Sequence, residues 1–134
     1  MTPDSLPGLG QAPETISPVQ LDEASLERLR ELDPTGAARL MERLVAAFDS
    51  SLERLLPDLA AGRSGDALNL DVIRHVSHTL KSSSASLGAL QLAERCAEIE
   101  TMARNGETQG LGALLDNMLI EIEQVRLALK ALLK

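Results

Sequence analysis

Residues 71 to 88 read Asp71-Val72-Ile73-Arg74-His75-Val76-Ser77-His78-Thr79-Leu80-Lys81-Ser82-Ser83-Ser84-Ala85-Ser86-Leu87-Gly88. Apolar residues fall at Ile73, Val76, Leu80 and Leu87, with Ser83 or Ser84 in the missing place. This i, i+3, i+7 spacing predicts an amphipathic helix. With Val76 at zero and about 100° per residue, the apolar group centres near roughly +20° and His78 stands at about 200°. The imidazole therefore points away from the core. Lys81 and Arg74 flank it on one side and His75 on the other. Four of residues 82 to 86 are serine, which costs a helix on the order of 2 kcal/mol relative to alanine. Such a run suggests that small side chains are required. Ser83 and Ser84 would let a neighbouring helix approach on the inner face. Ser82, Ala85 and Ser86 would let another protein come down beside His78 on the outer face.

On either side of this helix the chain carries further stripes. Asp22 reads as an N-cap for a short helix with Leu26 and Leu29 on one face, ending near Leu32. Asp33-Pro34 reads as the start of a second helix. Its stripe runs through Leu40 or Met41, Leu44, Val45, Phe48, Leu52, Leu55 and Leu59. Pro57 is expected to kink it or end it early, and Gly62 and Gly65 to stop it. Gly88 permits a bend before the stripe Leu92, Cys96, Ile99 and Ala103, which Asn105-Gly106 terminates. Thr108 is a candidate cap for the last helix. Its positions Leu111, Leu115, Met118, Ile122, Val125, Leu129 and Leu132 keep an unbroken seam of fours and threes. The expected architecture is all-α: an antiparallel up-down-up-down four-helix bundle over residues 20–134, preceded by a short N-terminal helix. Residues 1–19 hold four of the six prolines and read as a disordered tail.

The segment His78-Thr79-Leu80-Lys81-Ser82-Ser83-Ser84-Ala85-Ser86-Leu87-Gly88 resembles the signature of histidine-containing phosphotransfer (HPt) domains, H-x-L-K-G-[SA]-[SA]-x-x-[LV]-G. It departs from that signature only at Ser82, where the family most often has glycine. Cys96, Ile99 and Glu100 are similar to the family's C-x-x-[IL]-[EQ] stretch on the following helix. The resemblance implies a four-helix bundle whose exposed His78 takes a phosphoryl group on Nε2 from one receiver-domain aspartate and hands it to another in a multistep two-component phosphorelay. It implies a role for Lys81 in offsetting the charge gained on transfer, and a hydrogen bond from Glu100 to the other imidazole nitrogen. Arg104, one turn beyond Glu100, could approach the phosphoryl group. Arg74 and His75, with Ser82, Ala85, Ser86 and Arg104, form the expected partner-docking rim. The implied partner is the receiver domain of a hybrid sensor histidine kinase or a response regulator, which would supply the Mg²⁺. The chain resembles a stand-alone HPt protein.

The chemistry of the residues agrees. A free imidazole titrates at about 6.5 and near neutral pH offers a nitrogen lone pair for attack on phosphorus. A carrier also needs an exposed nucleophile with no base beside it to activate water. An exposed histidine on an arbitrary helix is ordinarily only a solvated side chain, and a helical adaptor or an HPt-like inhibitor without chemistry is the rival reading. His75 lies three residues before His78, but two histidines do not complete a metal site, so no metal and no cofactor of its own is expected. Cys96 falls on a core stripe and reads as a small filler.

Bulk properties narrow the choice. The chain has 134 residues, 44% apolar and 25% charged, enough for one folded domain. Phe48 is the only aromatic residue, so the core must be aliphatic. A net charge of −7 argues against nucleic acid and against an anionic membrane surface. The sequence contains no G-x-x-x-x-G-K-[ST] loop, so an autonomous ATP-using enzyme is not expected. A single cysteine, no apparent secretory leader and no long apolar run point to the cytoplasm. Nothing calls for a second copy, so a monomer is expected.

Overall fold

The computed structural model describes residues 17–134. Their regular elements are five helices and no strand: α1 Glu23–Leu32, α2 Leu40–Arg63, α3 Leu70–Ser86, α4 Leu90–Arg104 and α5 Leu111–Leu132. The helices α2 to α5 form the antiparallel bundle and α1 lies across one end. Cross-links between helices show the directions. Arg63 at the end of α2 donates to the Gly112 carbonyl at 3.3 Å and to Asp116 at 3.0 Å, near the start of α5. Asp49 near the start of α2 stands 3.5 Å from Arg126 near the end of α5. Arg95 of α4 meets Glu121 of α5 at 3.2 Å.

The core is aliphatic around Phe48. Leu52, Leu55 and Leu59 of α2, Ile73, Val76 and Leu80 of α3, Leu92, Cys96 and Ile99 of α4, and Leu111, Leu115, Met118 and Ile122 of α5 are all fully enclosed. Each set follows the helical period, so one face of each helix is removed from water. The missing apolar place on α3 belongs to Ser84, which is buried together with Ser77. With no bulk at either position, α3 and α4 become the most intimately packed pair.

Several boundaries differ from the sequence expectation. The second helix begins at Leu40, not at Asp33-Pro34. Asp33-Pro34-Thr35-Gly36 instead forms a turn closed by the Gly36 amide on the Asp33 carbonyl at 3.0 Å, with Pro and Gly at their favoured turn places. The Asp33 carboxylate then accepts from the Ala38 and Leu40 amides at 3.2 and 3.0 Å and so caps α2 from a distance. Pro57 does not end α2, which continues to Arg63; it sits on the exposed face, where water can serve the carbonyl left without a donor. Gly62 lies within the helix. A Cβ there would stand 3.3 Å from Val72 Cγ1, so this glycine lets the first turn of α3 close onto α2. Asn69, not singled out from sequence, caps α3 by accepting from the Val72 amide at 3.2 Å. Thr108 does not cap α5 through its side chain; the helix opens at Gly110, with φ +79.

Asp22 caps α1 as expected, accepting from the Ser25 amide at 2.9 Å. The α3–α4 turn is fastened to α1 by the Asp22 amide on the Gly88 carbonyl at 2.8 Å. Gly88 has φ +82, and a Cβ there would meet the Asp22 oxygen at 3.0 Å. Val19, within the expected tail, packs against the core and donates to the Gln124 carbonyl at 3.4 Å. The rest of that expectation, residues 1–16, lies outside the described residues.

Candidate functional site

His78 emerges at mid-length of α3, on the side away from the core, with its side chain 64% exposed. The periodicity that buries Val76 and Leu80 leaves it no other direction. Its ring is nonetheless held. Nδ1 lies 2.8 Å from Oε2 of Glu100 on α4. Lys81, one turn after His78, donates from Nζ to the other oxygen, Oε1, at 2.6 Å. Arg104, one turn after Glu100, donates from Nη2 to Oε2 at 3.1 Å. One carboxylate therefore gathers an imidazole, an ammonium and a guanidinium.

Glu100 itself is only 5% exposed, unlike an ordinary glutamate on a helix surface. Its place on α4 explains this: it stands at the margin of the Cys96, Ile99 and Ala103 stripe, where α3 covers it. Burial alone would favour the neutral acid. The hydrogen bond from Lys81 outweighs it, helped by His78, and holds the Glu100 carboxyl below the usual carboxylate range. An ionised carboxylate can only accept. The proton of a neutral His78 ring therefore sits on Nδ1, and Nε2 is left as the lone-pair nitrogen.

The outer face beside the ring is low. Ser82, Ala85 and Ser86 are exposed, and the Ser86 hydroxyl folds back onto the Ser82 carbonyl at 3.1 Å. On the other side, Arg74, His75, His78, Glu100 and Arg104 line an open pocket of about 320 Å³. Arg74 is only loosely engaged, its guanidinium 4.0 Å from Asp71 on the same helix. His75 is exposed and also borders a second groove with Asp58, Asn69 and Val72. All nine residues singled out from sequence thus lie on one side of the α3–α4 pair.

Cys96 is fully buried with Sγ 3.8 Å from Met118 Sδ, and burial pushes its thiol up to about 12, far from a reactive thiolate. Among the described residues, no three His, Cys, Asp or Glu side chains come together as a metal site would need. Among them, too, no helix is long and apolar enough to cross a membrane. Sequence reading missed the shared use of Glu100. The signal for part of it was present: Glu100 and Arg104 are spaced i, i+4 in the favourable order.

Comparison with known proteins gives the arrangement its context. A model of the Hpt domain family matches residues 35–133. The phosphorelay protein LuxU of Vibrio vulnificus is 38% identical over 79 residues, which cover 56% of this chain and 67% of that protein. Among solved structures, histidine-containing phosphotransfer protein B (HptB) of Pseudomonas aeruginosa superposes with a TM-score of 0.64 at 32% identity, covering 83% of this chain and 91% of its own. A rice protein, 21% identical, superposes with a TM-score of 0.56 over 85% of this chain and 86% of its own and is similar in fold.

Proposed function

The chain belongs to the Hpt domain family and is a phosphorelay phosphotransfer protein; on that footing we propose that His78 is its phosphoryl-carrying residue and Nε2 the atom that bears the group. The observation that carries this reading is the 2.8 Å contact between His78 Nδ1 and the buried Glu100 carboxylate, which supports the tautomer with its lone pair on Nε2. In the forward step that lone pair forms the N–P bond. The P–O bond to a partner's aspartate breaks, and its electron pair remains on that carboxylate. Nδ1 keeps its proton, and the positive charge of the substituted ring faces the Glu100 anion. The reverse sequence passes the group on.

Glu100 acts as a positioning residue for the ring, and Lys81 positions Glu100. The partner is a receiver domain, on a hybrid sensor kinase or a response regulator, and brings the aspartate together with the Mg²⁺ that such chemistry uses. It docks over Ser82, Ala85 and Ser86, with Arg74, His75 and Arg104 at the rim. The protein works as a carrier without an ATP site of its own, in the cytoplasm. All the site residues come from one chain, so one copy suffices.

Incubating the wild type and His78→Gln with a phosphorylated receiver domain tests the reading. The wild type should take up an acid-labile label and His78→Gln none, while both still bind the receiver. Label retained in His78→Gln contradicts the assignment. Equal performance of the two proteins in signalling supports an adaptor instead.

A further inference from the structure

The residue that binds the phosphoryl oxygens on His78 need not be the lysine one turn away. Lys81 Nζ is drawn to Glu100 Oε1 at 2.6 Å, and Arg104 is held on Oε2 at 3.1 Å. Releasing either would strip a cation from a carboxylate that is nearly enclosed, which is costly. Arg74 is placed differently. Its only ion-pair partner among the described residues is Asp71, at 4.0 Å, with both side chains at least half exposed, a pairing worth almost nothing to keep.

Arg74 stands one turn before His78, at the i, i+4 spacing that places two side chains on one helix face. The pocket against the imidazole is lined by Arg74 and Arg104, and Lys81 is not among its lining residues.

We infer that Arg74 leaves Asp71 on phosphorylation and binds the oxygens of the phosphoryl group on His78 Nε2, while Lys81 stays on Glu100. This rests on the carrier reading above and names a further residue in contact with the transferred group. A guanidinium suits the task because its forked donors match two phosphoryl oxygens at once.

The test must separate contact with the phosphoryl group from contact with a partner, so it uses none. Wild type, Arg74→Ala and Arg74→Lys are phosphorylated with a small phosphoramidate, and the rate of uptake and the decay of phosphohistidine are followed. Arg74→Ala should load more slowly and lose the group faster, each by about three- to tenfold, with partial rescue in Arg74→Lys. In the wild type, the Arg74 Nε–H resonance should move on phosphorylation. Loading and decay unchanged in Arg74→Ala, with only receiver transfer impaired, would reduce Arg74 to a docking contact and overturn the inference. A wild type that takes no label on His78 would overturn the carrier reading itself.

Discussion

At Glu100 the balance between burial and charge can be measured directly. A carboxylate at 5% exposure is stable only because Lys81, His78 and Arg104 meet it, and removing one partner of a buried pair typically costs about 3–5 kcal/mol. Lys81 and Arg104 reach solvent, so Glu100→Gln should cost less, about 1–2 kcal/mol at pH 7 by urea denaturation. Its carboxyl is held below the usual range in the folded state. Its contribution is therefore present above the unfolded carboxyl range, about pH 4.3, and is lost as pH falls through the folded value. The gap between wild type and Glu100→Gln should therefore narrow as pH falls below about 4.3. A gap that stays constant would mean the carboxylate does no electrostatic work. Ser77 and Ser84 make the opposite case: both hydroxyls are buried without a hydrogen-bond partner. Ser77→Ala should leave stability unchanged or raise it by up to about 1 kcal/mol in the same assay, and a loss above that size would show a bond the geometry does not.

Among the elements, the α3–α4 hairpin organises the site and α1 secures its turn. Gly88 carries that junction through a positive φ and close approach to Asp22. Gly88→Ala should destabilise by about 1–3 kcal/mol, seen as a lower denaturation midpoint, with the amides of α1 exchanging faster than those of α5. On the exposed face of α3, Ala85→Trp should block receiver transfer and leave the midpoint within about 0.5 kcal/mol; transfer at the wild-type rate would put docking elsewhere. The helices themselves were legible in the sequence because each keeps its apolar period: the stripe Ile73, Val76, Leu80 fixed α3 and, by opposition, the direction of His78. Legibility failed where side chains act at a distance. Nothing local tells that the Asp33 carboxylate will reach forward to Leu40, so Pro34 passes for a helix start. Gly62 reads as a stop until Val72 is seen against it. Glu100 could be matched to a motif but not seen as buried, since its enclosure is the work of α3, another part of the chain.

For the whole molecule, the proposed carrier role makes the bundle a mount for Nε2 of His78. The core is continuous from α2 to α5, and His78 stands outside it, so loading the phosphoryl group has no packed layer to rearrange. Spectral changes on phosphorylation should be confined to the α3 and α4 residues around His78, Arg74 and Glu100, with α5 silent. The most direct test of the carrier function is an NMR experiment on protein loaded with a small phosphoramidate, correlating the imidazole nitrogens of each histidine before loading, after loading, and after adding a receiver domain with Mg²⁺. The proposed function calls for phosphorus on Nε2 of His78, a proton retained on Nδ1, and loss of the label to the receiver. Label on His75, on Nδ1 of His78, or on His78 but never drained by any of a panel of receivers would contradict it.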